Sequence, residues 1–490
     1  MHGISRTTRW QKPPRRQCVE MSVTFNHWVM QFFFVYMLMA FGVYTLLNLL
    51  ALYWLRQHGE LRQHLLHETR LSGHEPGVSI IVAAFNEGGG IASSVRSLLQ
   101  QEYGDFEVIV VNDGSTDDTL ATLTREFELY VFPHAYCQRF DTKPVRKVYR
   151  SMNEHRLRVV DKDNGGCKAD AVNAGLNIAT RPLFCAMDAD SVLDRHALLR
   201  TVQFFLDDKR VVACGGTLRP LNGCRVDSGN LVHDGIPDNP LALCQTVEYM
   251  RSFLCGRIGW AQLDSLLIIS GGYGVFRTDA AVAAGGFDHA MIGEDMDLVL
   301  RIHRKMLRER TPYTLAFVPE TTCWTEVPET LRVFRNQRAR WQRGLIQCLW
   351  VHRELFFSLR APGIGWLAMP FFLLVEFLSP LVEVAGIMVL TYLGATGQLH
   401  WANLAVMTLF GVTMGVLLST TSLLLDSLTP GNRANLRSTA TLLLVIVLEP
   451  LIYHPIHTWY RLVGIGQWLT RKQAVWGTMT RVARWQTPEK

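Results

Sequence analysis

Three side chains with complementary chemistry occur in the stretch Gln337-Arg338-Ala339-Arg340-Trp341. The stretch falls on a predicted helix, where Gln337, Arg340 and Trp341 are spaced i, i+3 and i+4 and share one face. A guanidinium fork binds anions through paired hydrogen bonds, and an indole offers a flat apolar surface beside it. The spacing therefore predicts a site that holds an anionic group next to a flat apolar one.

Two carboxylates follow a predicted buried strand further upstream. Asp188 and Asp190 come directly after the strand predicted for residues 182–187, and alternation along the strand sends both carboxylates to the same side. Facing a diphosphate, each charge pair would cost roughly 4 kcal/mol at ~4 Å and an effective dielectric constant near 20. A hard divalent cation reverses this sign, so the pair predicts a Mg²⁺ or Mn²⁺ site, and a turn cap is the alternative.

Acidic residues also begin the helix predicted to run to Leu307. Acids in a first helical turn ordinarily act as caps and complement the helix dipole, which accounts for Glu294 and Asp297. Asp295 can instead serve as a general base, which requires an ionised carboxylate beside an acceptor hydroxyl. We therefore predict Asp295 as the catalytic base.

These residues lie in a predicted α/β domain. The run 78–84 is β-rich and apolar and ends near Asn86 and Glu87, and the run 106–111 ends in the polar cluster that begins at Asn112. Helical patterns follow both runs, which indicates a parallel sheet covered on both faces. Ligands bind outside the carboxyl ends of such strands, so the polar clusters are expected to lie at the site.

Two further segments are less specific. The turn Gly165-Gly166 leads into a helix beside Lys168, and such a turn can approach a phosphate, although a plain helix start explains it equally well. Residues 126–156 are basic, aromatic and poorly periodic, so they are expected to form an insertion or surface loop.

The composition indicates a soluble domain joined to a membrane region. The chain has 490 residues, of which 48% are hydrophobic and 19% are charged. Residues 28–55 and most of 362–460 are apolar, whereas 56–350 resembles an ordinary globular sequence. The net charge of +6 is too small and dispersed to indicate a nucleic-acid partner. The ten cysteines lack a Cys-x-x-Cys pair, which favours free thiols in a reducing compartment.

Three apolar runs are long enough to cross a bilayer, namely Trp28–Leu55, Trp366–Leu393 and Trp401–Leu425. A fourth run, from Thr439, soon reaches Glu449, and it is expected to be re-entrant or only partly inserted because charges are costly at mid-bilayer. The remaining predicted segments are an N-terminal tail (1–27), the α/β domain (76–345), an interfacial helix (346–361), a membrane region (362–460) and a cytoplasmic tail (461–490).

The charge bias leaves the orientation of the N-terminus open. Five basic residues before residue 17 would hold it in the cytoplasm, and one following span would then place the soluble domain outside. A start at Met21 removes that tail, and we favour this start with an external N-terminus. Basic residues after Arg461 favour a cytoplasmic C-terminus, so we expect three full crossings and one partial segment.

Taken together and in this order, the motifs resemble those of processive family-2 glycosyltransferases. The resemblance is closest to bacterial poly-N-acetylglucosamine synthases, followed by cellulose, hyaluronan and chitin synthases, and it spans about residues 76–485. The motifs that carry it are Asn86-Glu87, Asn112-Asp113-Gly114-Ser115, Asp188-Ala189-Asp190, Glu294-Asp295 and Gln337-Arg338-Ala339-Arg340-Trp341. Trp476 and Arg481 lie in a tail segment similar to a gating loop of the related synthases.

The resemblance implies a GT-A (Rossmann-like) fold and inverting transfer from a UDP-sugar donor to a growing polysaccharide at the bacterial inner membrane. Asp295 would be the base and Asp190 the metal ligand, and Glu294 and Trp341 would bind the acceptor. The nucleotide-sugar would be bound by Ala84, Asn86, Glu87, Asp113, Lys168, Asp188, Gln337 and Arg340. A secreted polymer also implies accessory and outer-membrane export proteins as partners.

Two alternatives remain open. Transfer of a single sugar to a lipid or short acceptor needs the same donor site, although the tryptophan platform and several C-terminal spans argue against it. A non-catalytic scaffold or receptor that retains the fold is disfavoured by the carboxylates, since perturbable acids cluster at working sites. Arg335, Arg338 and Arg343 can be interpreted as a basic helix on the membrane surface, with Arg338 as suited to lipid headgroups as to the site.

Overall fold

The computed structural model describes residues 15–68, 73, 75–133, 135–429 and 435–471. Twelve strands lie in these ranges: β1 (Val78–Ala84), β2 (Phe106–Asp113), β3 (Leu129–Val131), β4 (Val145–Ser151), β5 (Leu157–Lys162), β6 (Leu183–Asp188), β7 (Ser191–Leu193), β8 (Val211–Pro220), β9 (Arg225–Asp227), β10 (Asn230–His233), β11 (Tyr273–Arg277) and β12 (Thr314–Thr325). Ten of them form one mixed sheet in the order β3-β4-β5-β2-β1-β6-β11-β8-β12-β7, and β9 and β10 form a separate hairpin.

The described helices follow the strands or extend beyond the sheet. They are α1 (Arg15–Glu68), α2 (Ile91–Leu99), α3 (Thr119–Phe127), α4 (Lys168–Ile178), α5 (Ala197–Asp207), α6 (Pro240–Met250), α7 (Ile258–Gln262), α8 (Thr278–Ala283), α9 (Glu294–Glu309), α10 (Leu331–Val351), α11 (Met369–Phe371), α12 (Ser379–Ala395), α13 (Trp401–Leu428) and α14 (Leu436–Leu469). A π-helical segment, Arg251–Arg257, joins α6 to α7.

The centre of the sheet is the predicted parallel unit. Strands β5, β2, β1 and β6 are parallel neighbours, and all residues of β1 and β2 are buried. Such uninterrupted burial requires a covered sheet, because a sheet with one wet face alternates apolar and polar residues. The predicted Rossmann-like α/β domain is therefore confirmed. Its parallel strands end together at one edge, where the predicted site residues follow them.

The segment 126–156 is not the surface loop that the sequence suggested. It contains β3 and β4, which extend the sheet through antiparallel pairing of β4 with β5. The alternation was obscured because the short edge strand β3 pairs only with residues 149–151 of β4, so the first part of β4 lies at the edge, where Arg146 and Lys147 are exposed. The segment is thus part of the sheet's edge.

Within the described ranges, three helices are long and apolar enough to cross a membrane: Asn26–His58 within α1, Trp401–Leu428 and Leu436–Leu469. A fourth candidate consists of two helices, Gly363–Phe377 and Ser379–Ala395, which are bent by 46° relative to each other. The bend therefore lies in the segment that was predicted as a full span (Trp366–Leu393). The run from Thr439, which was predicted to be re-entrant or only partly inserted, belongs instead to the long continuous helix α14.

The expected interfacial helix at 346–361 is also absent from this fully described segment. Helix α10 continues to Val351, a short 3-10 turn spans Arg353–Leu355, and the following helical segment begins at Gly363. Cys348 and Leu349 are buried, so the end of α10 packs against the α/β domain. This burial explains why a separate surface helix does not form.

An ion pair explains how α14 accommodates Glu449, which had suggested a partial span. Arg251 donates to Glu449 Oε1 at 2.5 Å, and its other nitrogen donates to Ser419 of α13 at 2.6 Å. The Glu449 side chain is only 6% exposed. A carboxylate that is paired and hydrogen-bonded costs far less inside an apolar region than an isolated one. The contact also joins the α/β domain to α13 and α14.

We predict that Glu449→Gln destabilises the protein by about 3 kcal/mol, because it leaves the Arg251 cation without its counter-ion. Thermal unfolding in detergent, monitored by intrinsic fluorescence, measures the effect. The double variant Arg251→Met, Glu449→Met serves as the control, and it should recover most of the loss because neither charge remains. A single variant as stable as the wild type would contradict the prediction.

Candidate active site

A cavity of about 1520 Å³ opens at the carboxyl edge of the parallel strands. Most of the predicted site residues line it, although they come from five separate regions of the chain. They are Asn86, Glu87, Lys168, Asp188, Asp190, Glu294, Asp295, Gln337, Arg340 and Trp341. The structure therefore brings together residues that are up to 255 positions apart, as the sheet topology predicted.

Helix α10 places the face predicted to bind an anionic group beside a flat apolar one in the wall of this cavity. Gln337, Arg340 and Trp341 all line it, and the indole of Trp341 is 41% exposed and therefore accessible to a ligand. Arg338 does not face lipid headgroups as the sequence had allowed. Its side chain is buried, donates to Glu248 at 2.5 Å and lies 4.3 Å from the ring centre of Trp341. Arg338 thus supports the indole from behind.

A chain of hydrogen bonds connects the predicted base to the end of β6. Lys168 donates to Asp188 Oδ1 at 2.5 Å and to the carbonyl of Gly271 at 2.7 Å. The amide of Gly271 in turn donates to Asp295 Oδ2 at 3.1 Å. Asp295 Oδ1 accepts from the Met296 amide at 2.8 Å, so the carboxylate is held by two backbone donors. These two donors fix the orientation of the Asp295 carboxylate beside the cavity.

The two acids at the start of α9 differ in their electrostatic environment. Burial raises the pKa of Glu294 to about 7, and repulsion by the charge of Asp295 adds to the effect. Lys168 and Arg340 oppose this rise because their positive charges favour the ionised carboxylate. The pair therefore combines a carboxylate held by backbone donors with a neighbour that is partly protonated at neutral pH.

This raised pKa predicts a pH-dependent stability. Folded Glu294 keeps its proton between its ordinary pKa of 4.5 and about 7, where the unfolded carboxyl has lost it, so ionisation destabilises the fold as the pH rises through that window. Glu294→Gln removes this penalty. We expect its Tm, measured without donor or metal, to exceed that of the wild type by about 4 °C at pH 8.

The Tm difference should shrink by pH 5, where Glu294 is protonated in the folded wild type. A difference of equal size at both pH values would contradict the electrostatic explanation. Glu309→Gln, at the exposed end of the same helix, serves as the control and should show no such pH dependence.

The carboxylates after β6 fit the cation predicted for them. Asp190 is 7% exposed, and its pKa is raised well above the ordinary value by burial and by the charges of Asp188 and Glu326. A divalent cation would remove that repulsion. Among the described residues, no group of three or more His, Cys, Asp and Glu side chains is arranged to hold a metal. The site therefore suits a hard ion that takes its remaining oxygen ligands from substrate phosphates and water.

The end of β1 is organised by Asn86. Its backbone is in the left-handed region (φ 57°), its amide donates to Ser115 Oγ at 3.0 Å, and its side-chain oxygen accepts from the Thr116 amide at 2.8 Å. The Glu87 amide donates to Thr119 Oγ1 at 2.9 Å. Asparagine tolerates this conformation better than most residues. These bonds hold the loops after β1 and β2 together beside the cavity.

Two predicted nucleotide contacts are not open to the cavity. Ala84 is completely buried in β1, and Asp113 is completely buried at the end of β2. The carboxylate of Asp113 accepts from Lys162 at 2.5 Å and from the Gly165 amide at 3.0 Å. Lys162 was missed because nothing in the pattern of β5 distinguishes it from an exposed strand-end lysine. The nucleotide contact of Asp113 stays a prediction.

The cavity continues beyond the α/β domain into the space between the apolar helices. Each of the four candidate membrane segments contributes lining residues, among them Tyr44 of α1, Ile387 of α12, Gly411 of α13 and His457 of α14. The site at Asp295 and this inter-helical space thus form one continuous void. The predicted gating residues Trp476 and Arg481 lie outside the described residues.

Comparison with known proteins identifies similarities over much of the chain. A family model described as "Glycosyltransferase like family 2" matches residues 76–344. The poly-beta-1,6-N-acetyl-D-glucosamine synthase of Staphylococcus epidermidis is 24% identical over 347 residues, which cover 69% of this chain and 72% of that protein. The protein of the same name from Staphylococcus aureus (strain MSSA476) is 25% identical over 304 residues, or 62% of each chain.

A solved structure is also similar in outline. A mannosyltransferase from Pyrobaculum calidifontis, in complex with GDP-Man and Mn²⁺, aligns with a TM-score of 0.48 and 18% sequence identity, covering 90% of this chain and 99% of that one.

Proposed function

Because the chain belongs to the glycosyltransferase-like family 2, we propose that it is an inverting synthase that polymerises a β-linked exopolysaccharide at a bacterial inner membrane. The donor is a UDP-sugar, either UDP-GlcNAc or UDP-glucose, and the growing chain is both acceptor and product. The resemblance to enzymes named poly-beta-1,6-N-acetyl-D-glucosamine synthase supports this class of reaction.

The observation that carries the proposal is the shape of the cavity. Its volume of about 1520 Å³ exceeds the roughly 300–1,000 Å³ of pockets that bind one small ligand. It begins at Asp295 and Trp341 and continues between the apolar helices. An enzyme that adds one sugar needs room for one donor and one acceptor. A cavity that extends between candidate spans suits a polymer that leaves the site through the membrane.

The side chains around Asp295 support displacement of UDP from the donor sugar by the acceptor hydroxyl. Asp295 removes the proton from the acceptor hydroxyl, and the resulting oxygen attacks the anomeric carbon of the donor from the face opposite UDP. The carbon–oxygen bond to UDP breaks, and the configuration at that carbon inverts. Arg340, Gln337 and Lys168 hold the diphosphate, and the Trp341 indole packs against the acceptor ring. Asp190, with Asp188 beside it, would hold a Mg²⁺ or Mn²⁺ ion, which would supply positive charge to the diphosphate.

The alternative is transfer of one sugar to a lipid or short acceptor. It would use the same donor site, and a lipid could enter the cavity between the apolar helices. The two reactions differ in product length, because only a processive enzyme keeps its product in the cavity between additions. The polymerising hypothesis also implies export proteins in the outer membrane as partners.

One assay separates these hypotheses. The purified full-length chain in lipid nanodiscs is incubated with Mn²⁺ and either UDP-GlcNAc or UDP-glucose, and UDP release is measured together with product size. Long product with one of the donors supports the proposal. Addition of a single sugar would replace the proposal with the alternative, and no UDP release with either donor would overturn the proposed donors.

A further inference from the structure

A buried cation in the cavity wall has no role in the mechanism above. Arg257 is the last residue of the π-helical segment Arg251–Arg257 and lines the cavity. Its Nη1 atom is buried and has no hydrogen-bond partner among the described residues. Its guanidinium carbon lies 3.8 Å from the ring centre of Phe253. The side chain thus stacks on an aromatic ring and keeps a donor available.

Neighbouring buried arginines show how unusual this arrangement is. Arg251 is bonded to Glu449, and Arg338 is bonded to Glu248. Arg257 has no such ion pair within the described parts of the chain. Stacking on a ring compensates only part of the cost of burying a charge. Burial lowers the pKa of Arg257 to about 10, which still leaves the group charged at neutral pH.

Two further observations indicate that this charge serves a ligand. π-Helical turns are rare and occur frequently at functional sites, because the extra residue displaces side chains from the regular helical register. Beyond Arg257, Gly259 packs so closely on α1 that an added Cβ would lie 2.8 Å from the Cα of Leu47. The segment therefore lies where the transferase domain meets the first candidate span, at the start of the inter-helical part of the cavity.

Arg257 and Asp295 line the same cavity, and the negative charge of Asp295 favours the charged form of Arg257. Arg257 and the predicted base thus belong to one site. A guanidinium here can reach an acceptor sugar that enters from the apolar helices, and its donors match the hydroxyl and carbonyl oxygens of a saccharide.

We propose that Arg257 is an acceptor-binding residue whose Nη1 donates a hydrogen bond to an oxygen of the terminal acceptor sugar and holds its attacking hydroxyl beside Asp295. This inference rests on the proposed function, because it assumes a saccharide acceptor. It adds a residue from the π-helical segment to a site otherwise formed by strand ends and by the helices α4, α9 and α10.

The test uses Arg257→Met in the full-length chain, which keeps an unbranched stem and removes the guanidinium group with its charge. Transfer is assayed with UDP-GlcNAc and chitotetraose, and in parallel with UDP-glucose and cellotetraose. We expect the KM for the tetrasaccharide to rise by about 10-fold or more, because a hydrogen bond from a charged donor is lost. The KM for the donor and the hydrolysis of donor without acceptor should change less than about 2-fold, within the usual scatter of distant substitutions.

Thermal unfolding provides a second readout. Removal of a buried cation without a counter-ion should leave Tm unchanged or raise it by roughly 2 °C. Arg257→Lys keeps the positive charge but lacks the paired donors of the guanidinium group, so it should show an intermediate acceptor KM. Arg353→Met is the matched control, because Arg353 also stacks on an aromatic ring (Trp350, 5.4 Å) but is exposed. It should leave the acceptor KM unchanged.

Three results would overturn the inference. A lower Tm of Arg257→Met, with donor and acceptor parameters impaired equally, would indicate a structural role. An unchanged acceptor KM with normal turnover would show that Arg257 does not bind the acceptor, and the proposed function would stand. A wild-type chain that transfers no sugar to either tetrasaccharide and makes no polymer would overturn the proposed function and this inference together.

Discussion

Asp295→Asn should lower the turnover number for sugar transfer by roughly 1,000-fold, which is within the range expected for loss of a general base. Asparagine keeps the volume of the side chain and one acceptor oxygen for the backbone donors of Gly271 and Met296. It cannot accept a proton from the acceptor hydroxyl. The donor is held by other residues, so its affinity should change less than about 3-fold. UDP release under saturating donor and a direct binding titration with UDP measure the two quantities.

Glu309→Gln is the matched control for this substitution. It makes the same chemical change at the other end of α9, where the carboxylate is exposed and pairs with Lys305 at 2.7 Å. Its turnover should equal that of the wild type. If Asp295→Asn retained more than about a tenth of wild-type turnover, less than the smallest usual contribution of a general base, the role assigned to Asp295 would be wrong.

Asp190→Asn should weaken binding of the UDP-sugar in the presence of Mn²⁺ by roughly 100-fold, or about 3 kcal/mol, since a buried carboxylate that neutralises the cation is lost. The same variant should be more stable than the wild type in metal-free buffer. The reason is that Asp190 is repelled by the charges of Asp188 and Glu326, and the amide removes that repulsion. Calorimetric titration with and without Mn²⁺, together with thermal unfolding in EDTA, measures both effects.

Asp207→Asn provides the comparison, because Asp207 is an exposed acid at the end of α5. It should change neither the Mn²⁺-dependent affinity nor the stability in EDTA. Donor binding by Asp190→Asn that keeps its full dependence on Mn²⁺ would mean that the cation is held elsewhere. A loss of stability in EDTA would mean that the carboxylate contributes to the fold without a metal.

Local patterns were sufficient where one segment carries the information. The runs that became β1 and β2 are continuously apolar and end in polar clusters, which requires a covered parallel sheet with its ligands at one edge. The spacing of Gln337, Arg340 and Trp341 required a helix to bring them to one face, and α10 does so. In both cases the backbone period alone determines which side chains lie together.

Local patterns failed where a distant residue changes the energy of a group. The charge of Glu449 had indicated a partial span. In the structure this charge is neutralised by Arg251, which is 198 positions away in the sequence. Arg338 had been considered equally suited to binding lipid headgroups. In the structure it is buried and donates hydrogen bonds to Glu248 and Tyr453. Strand β4, which lies next to the edge strand β3, was mistaken for a loop because its exposed charged residues do not alternate regularly with buried ones. A pairing partner far along the chain leaves no mark on the local pattern.

Residue types and backbone periodicity predicted the anion-binding face of Gln337, Arg340 and Trp341, the Asp188–Asp190 pair and the α/β architecture. Each of these depends only on neighbours within a few positions. Only the tertiary structure shows that the cavity at the carboxyl edge of the sheet continues between the apolar helices, that Asp113 is paired with Lys162, and that Arg257 lines the same cavity as Asp295. These features depend on burial and on charges from separate segments. Both arise only when the chain is packed, because desolvation and Coulomb energies depend on distance in space.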